Sequence, residues 1–225
     1  MYYNEFKGLK LPALGIGAMR LPTLDGDDAK INEEEAFAMV DYAMEHGSNY
    51  FDTGWGYHGG QSEVFLGKAL KKYRRDSFYI ADKFPGYDLQ NMDKAEEIFP
   101  EQLRRCGVEY FDFYLFHNVC ELNIDAYLDP KYGIFEYLSK QKEEGRIRHL
   151  GFSAHGSYDV MKRFLEAYGS EMEFCQIQLN YLDWEFQEAN KKVELLGEYG
   201  IPVWVMAVSY THLTESLTVP CPGAS

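Results

Sequence analysis

The sequence holds no C-x-x-C pair. Its four cysteines, Cys106, Cys120, Cys175 and Cys221, stand far apart among 225 residues, which suggests neither a metal knuckle nor a disulfide framework and suits a reducing compartment. Basic excess is lacking too: lysine and arginine number 22 against 36 acidic residues, a formal net charge of -14. That balance argues against a nucleic-acid surface or a polybasic membrane anchor. Apolar runs stay short of the roughly 18 residues of a membrane span, and MYYNEFKGLK at the start has no basic region leading into an apolar run of signal type. The expectations are no nucleic-acid partner, no membrane and a cytoplasmic location. What is present, 46% apolar and 26% charged residues, fits one α/β folding unit with a sizeable core.

Strand and helix patterns alternate along the chain. Residues 1–12 read as a small hairpin broken by Gly8 and Pro12, residues 14–19 as a first buried strand and residues 20–28 as a loop. Asn32, with Glu35 three residues on, predicts the N-cap of a helix ending at Gly47 and presenting Ala36, Met39, Val40, Ala43 and Met44 on one face. Strands are expected over 48–53, 77–83, 110–118, 147–153, 173–179 and 201–207, and helices over 61–73, 92–106, 133–144, 158–168 and 186–199. Seven strands separated by helices, several of them apolar on both faces, imply a parallel sheet.

Asp52, Lys83, His117 and Ser153 recur at strand C-termini, 31, 34 and 36 residues apart. Polar residues repeated at that end favour an α/β (β/α)8 TIM barrel over a doubly wound open sheet, whose site would sit at one switch point. The eighth unit is missing from the pattern. After Ala207, VSYTHLTESLTVPCPGAS has no helical period. The expectation is an incomplete barrel domain over 1–207, with open edges, and a non-native-looking tail over 208–225, where VSYTHLT resembles adapter or vector read-through.

Between the second strand and its helix lies NYFDTGWGYHGGQSEVFLGK at 49–68, with Asp52 at the strand exit, Tyr57 and His58 in a glycine-rich loop, and Ser62 and Glu63 opening the helix. Singly, each candidate has a structural explanation: Asp52 as a cap, Lys83 as an exposed lysine, His117 as a hydrogen-bonded strand-end histidine, Tyr57 as one of 18 tyrosines. Together they fall where barrel strands two to four deliver side chains to one mouth. A phenol with an ordinary pKa of about 10 needs a cation close by to exchange its proton near neutrality. Lys83 supplies one, and Asp52 can keep that lysine charged. His117 offers a hydrogen bond to a carbonyl oxygen. The set has no convincing nucleophile, no paired carboxylates of a glycosidase and no clustered metal ligands. Proton transfer to a carbonyl oxygen remains, with hydride left to a cofactor.

The motifs GIGAMRLP at 15–22, FDTGWGYHGGQSEVFLGKAL at 51–70, IADK at 80–83, DFYLFHN at 112–118, GFSAH at 151–155 and CQIQLNY at 175–181 jointly resemble the aldo-keto reductase family over about residues 8–207. The resemblance implies a barrel oxidoreductase that reduces an aldehyde or ketone, with NADP(H) ahead of NAD(H). It implies a catalytic tetrad of Asp52, Tyr57, Lys83 and His117, with Tyr57 as general acid. It further implies a cofactor cradle of Gly17, Ala18, Met19, Asp52, Ser153, Gln176 and Met206, with Asn180 near by.

Two residues depart from the family pattern. Ala154 stands where many members carry an asparagine and Met206 where many carry a ring-stacking tyrosine, which implies looser definition of the nicotinamide. His58 and His155 are expected at the mouth, as solvated loop histidines first and substrate contacts second. HGGQSE, IQLNYLDW and IPVWVM are most similar to members with a C-terminal ferredoxin-like iron–sulfur segment, although no cluster-type cysteine run is present and no metal is expected in this chain. The implied partner is a small-molecule carbonyl substrate. Alternatives are a nicotinamide-nucleotide-sensing module without turnover, or an inactive fragment with weakened dinucleotide binding.

Overall fold

The computed structural model describes residues 1–206; Ala207 and the expected tail at 208–225 lie outside the described residues. The chain opens with an antiparallel hairpin, β1 (Tyr3–Phe6) and β2 (Leu9–Pro12), then a two-residue strand β3 (Ile16–Gly17) and a second small hairpin, β4 (Thr23–Leu24) and β5 (Asp27–Ile31). Helix α1 (Glu33–Glu45) begins the alternation. It continues through β6 (Tyr50–Asp52), α2 (Gln61–Leu70), β7 (Tyr79–Pro85), α3 (Ala95–Cys106), β8 (Phe111–Val119), α4 (Ile124–Leu128) and α5 (Ile134–Glu143). Then come β9 (Ile147–Ala154), α6 (Tyr158–Tyr168), β10 (Cys175–Gln178), α7 (Asp183–Phe186), α8 (Ala189–Glu198) and β11 (Val203–Met206). The seven strands β3 and β6 to β11 form one parallel sheet in chain order, with β3 and β11 outermost among the described residues.

Side-chain alternation along these strands builds two cores. Tyr50, Ala81, Phe113, Leu115 and Phe174 face the concave side, where Phe6 and Leu11 of the first hairpin close the bottom. Phe51, Ile80, Phe84, Tyr114, Phe116, Leu150 and Phe152 face the helices. The curl is visible in the rings: Trp204 on β11 lies 4.6 Å from Phe113 and 5.3 Å from Tyr50 on β6, centroid to centroid. The edge strand β11 therefore touches β6, next to the other edge, across the concave face, giving a half-barrel. At roughly 1.5–3 kcal/mol per fully buried aromatic, these two layers supply most of the driving force. No helix among the described residues is long and apolar enough to cross a membrane.

Local signals explain where elements start and stop. Asn32 caps α1 as expected, its Oδ1 accepting from the Glu35 amide at 3.4 Å while its Nδ2 donates to the Glu35 carboxylate at 3.1 Å. Met39 is exposed, however, and Phe37 packs against the core instead. The region expected as a loop at 20–28 instead starts the β4–β5 hairpin, turned by Asp25 and Gly26, both at positive φ, an Asp-Gly signal that a two-residue first strand and a mostly polar second one conceal. The first barrel strand shrinks to Ile16–Gly17, and the expected helix at 186–199 starts only at Ala189 as α8, after Glu188 (φ 50), with the short α7 as a separate turn before it.

At the bottom of the half-barrel Glu173 gathers three nitrogen partners from three elements: Lys7 at 3.0 Å, Lys142 at 2.7 Å and His149 Nδ1 at 2.8 Å. Burial alone would raise the Glu173 pKa. Hydrogen bonds from His149, Lys142 and Lys7 outweigh it and hold the carboxyl well below its ordinary 4.5. Glu173→Gln is expected to lower stability by about 1–3 kcal/mol at neutral pH, read from denaturant midpoints. Because folding depresses this pKa, the contribution is complete above 4.5 and is lost as pH falls through the folded value. The gap between wild type and variant should therefore close in acid.

Candidate active site

Strand β6 ends at Asp52, and its exit is tied to its neighbours before the loop begins. Ala18 N donates to Asp52 O at 2.8 Å, Thr53 N to Ala81 O at 3.0 Å, and Ser62 Oγ bridges Ala18 O and Thr53 Oγ1, each at 2.8 Å. Tyr57, His58, Gly59 and Gly60 then form one turn in which His58, Gly59 and Gly60 take positive φ values of 54, 61 and 86°. Glycine accepts that conformation without steric cost, and the chain folds back so that Tyr57 lines the mouth.

Lys83 enters the same space from β7. Its ammonium donates to Asp52 Oδ1 and to Thr53 O and stands 4.9 Å from the Tyr57 ring centroid. The other Asp52 oxygen accepts from Gln176 Nε2 at 2.9 Å, from the far side of the half-barrel. Burial disfavours the Lys83 charge, but nearby negative charge, that of Asp52 foremost, outweighs it, and its pKa stands above the usual lysine value. For Tyr57 the balance differs from the sequence expectation. Burial raises its pKa by more than Lys83 lowers it, with Asp52 adding to the rise, so the phenol holds its proton at neutral pH.

His117 completes the group from β8. Its ring stands edge-on to Tyr57 at 6.0 Å and to Tyr87 at 5.4 Å, and its carbonyl is held by the Tyr127 hydroxyl at 2.8 Å. Burial, then the charge of Lys83, then His155 push its pKa well below 6.5, so the ring is neutral. Nδ1 is sealed without a partner. The single ring proton serves a ligand only when it sits on Nε2.

Asp52, Tyr57, Lys83 and His117 share one cavity of about 1350 Å³, and Gly17, Met19, Ser153, Gln176, Met206 and His155 line it as well. Ala18 does not. It alternates to the other side of its strand and buries its methyl among the helix-side residues. His58 is also turned away from the mouth. It is 1% exposed, its Nε2 accepts from Leu21 N at 3.0 Å and its Nδ1 lies 2.7 Å from Asp28 O, making it a strut between the Tyr57 turn and the β4–β5 hairpin. Asn180 organises the turn into α7, bonding Asp183 Oδ2 at 2.6 Å, and Ala154 packs in the core. Arg20, Tyr87, Asn118 and Gln178 line the cavity without having been singled out from the sequence. Tyr87, Asn118 and Gln178 sit at or just past strand C-termini, which is the signal that points to them.

A curled parallel sheet with its polar side chains gathered at the strands' C-terminal ends defines a (β/α)-barrel type of site. A sequence model of the aldo/keto reductase family matches residues 13–214, and the chain belongs to that family. It is 28% identical over 205 residues to a probable aldo-keto reductase 1 of Glycine max, covering 88% of this chain and 56% of that protein. The holo form of an aldo-keto reductase from Bacillus halodurans superposes with a TM-score of 0.72 at 28% identity, covering 92% of this chain and 66% of that one. An aldo-keto reductase from Klebsiella pneumoniae, solved in complex with NADPH, gives 0.68 at 20% identity, with 90% and 67% covered. The chain thus spans little more than half the length of that curated relative.

The His117 environment yields a direct check. By ¹⁵N-resolved NMR its ring should remain neutral through and below pH 6.5. Lys83→Met should raise its titration point part of the way back, because burial, the larger cause, stays in place.

Proposed function

We propose that this chain carries the catalytic centre of an NAD(P)H-dependent reductase that converts an aldehyde or ketone to an alcohol, with Tyr57 as the proton donor. The observation that carries this reading is the buried Lys83–Asp52 pair set against the Tyr57 ring, with a neutral His117 beside it.

The residues present fit a nicotinamide. A Cβ built on Gly17 meets no protein atom within 4 Å, so β3 leaves open space on the cavity side for a flat group to lie against. Gln176, with Nε2 committed to Asp52, offers its Oε1 to a carboxamide N–H, and the Ser153 hydroxyl, held only at 3.4 Å by Phe116 O, is available to the carboxamide oxygen. Met19 and Met206 supply polarisable sides. NADP(H) is the preferred form, in keeping with the NADPH complex of the Klebsiella pneumoniae neighbour. When bound, the reduced nicotinamide supplies hydride to the carbonyl carbon.

The protein's own part is the proton. His117 Nε2–H donates to the carbonyl oxygen and fixes its direction. Tyr57 gives its proton to that oxygen as negative charge develops there, and the resulting phenolate is stabilised by the Lys83 ammonium beside it. Asp52 keeps the ammonium in place and neutralises it before and after the transfer. The low dielectric of the mouth strengthens each of these interactions.

NADPH oxidation with a reactive aldehyde, followed by absorbance, tests the assignment. Tyr57→Phe is expected to reduce kcat/KM by about 10²–10⁴, with NADPH binding by fluorescence retained. A Tyr57→Phe protein that turns over at the wild-type rate would remove the phenol from the mechanism.

A further inference from the structure

Neighbours on a strand face opposite sides, so β7 sends Lys83 into the mouth and Asp82 into the layer under α2 and α3. There the side chains of Asp82 and Glu63 are both 0% exposed. Facing them are Gln102, Arg105 and Cys106 from α3 and Tyr114 from β8, with Lys83 and Asp52 across the strand. The Tyr114 hydroxyl donates to Gln102 Oε1 at 2.5 Å, which turns the amide nitrogen toward the acids.

That nitrogen has two protons and three acceptors at 3.0 Å: Glu63 Oε1, Asp82 Oδ1 and the Lys83 carbonyl. Arg105 Nη1 meets Glu63 Oε2 at 3.0 Å, while the same guanidinium serves Glu101 through Nε at 2.9 Å. Among the described residues no cationic side chain contacts Asp82, and the Cys106 thiol is 3.8 Å from its Oδ2. Two sealed carboxylates sharing part of one guanidinium would leave a bare charge and one acceptor too many. A single bound proton removes both problems.

We propose that Glu63 and Asp82 hold one proton between them, with Asp82 as the carboxylic acid donating to the Glu63 carboxylate, and that this dyad is the element positioning Lys83. The Lys83 peptide is gripped at both ends by the same network: its N–H donates to Asp82 Oδ1 at 2.8 Å and its C=O accepts from Gln102 Nε2. Burial raises the proton affinity of both acids, further for Asp82, which also faces the Glu63 charge. A charged Asp82 would raise the proton affinity of Lys83 and Tyr57. Kept neutral, it leaves Asp52 as the one anion acting on the ammonium at close range. Asp82 and Glu63 are positioning residues, and their effect on rate rests on the reductase reading above, whereas the protonation state does not.

Infrared spectra of the intact chain at neutral pH, in H2O and D2O, read the dyad without turnover. A protonated-carboxyl C=O band is expected in wild type, still present in Asp52→Asn and absent in Asp82→Asn. A wild type without that band, or an Asp82→Asn protein that keeps it, overturns the shared proton. In the reduction assay Asp82→Ala should lose about tenfold or more in kcat with the carbonyl KM little changed. Asp82→Asn, which can accept from Lys83 N–H and donate to Glu63, should recover most of that loss. An Asp82→Asn variant that falls as far as Asp82→Ala overturns the positioning role. A wild type with the band but no reduction would contradict the proposed function and leave the dyad standing.

Discussion

A lysine side chain that is 3% exposed stays charged on the concave face of this sheet chiefly because Asp52 answers it directly. Removing an ammonium from water is expensive, and the cost is offset only where geometry and further hydrogen bonds are good. Here both conditions are met by residues from separate elements: Asp52 and Thr53 O from the β6 exit, the Tyr57 ring from the following turn, and Gln176 from β10 holding the second carboxylate oxygen. The Gln176–Asp52 bond spans the half-barrel as the Tyr50–Trp204 contact does one tier below. The curl of the sheet and the ion pair therefore depend on each other. A strand register shifted by one residue would turn Lys83 into the core and Asp82 into the mouth.

Electrostatic balance at the mouth follows from which charges are sealed. His117 is neutral because burial and the neighbouring ammonium both oppose a second positive charge. Tyr57 keeps its proton because burial outweighs the stabilisation that Lys83 gives its anion. That state suits the donor role proposed for Tyr57. In the proposed reduction the ammonium matters most at the moment of transfer, when a phenolate would form next to it in a region of low dielectric.

Alternation of strand and helix made the parallel sheet legible from residue types alone, and the strand-end positions of Asp52, Lys83 and His117 followed from it. Tyr57 and its two following glycines were legible because a turn into positive φ leaves a composition signal. Other features depended on partners far away in the chain. Nothing local shows that His58 answers an amide 37 residues earlier, or that Gln176 reaches Asp52 across 124 residues. Ala18 illustrates a different limit: family likeness groups it with Gly17 and Met19, while the period of two separates it from them. Asp82 was equally readable by alternation. A carboxyl on the helix-facing side of a central strand breaks the apolar pattern, and such breaks mark polar networks.

The central claim is that Tyr57 is a protonated phenol held against the Lys83–Asp52 pair. The most direct measurement is an ultraviolet difference titration between the wild-type chain and Tyr57→Phe, repeated in a Lys83→Met background. Tyrosinate at position 57 is expected only above the ordinary phenol value of 10.0, and later still without the lysine. Tyrosinate at Tyr57 at neutral pH, or a titration that Lys83→Met leaves unmoved, would contradict it.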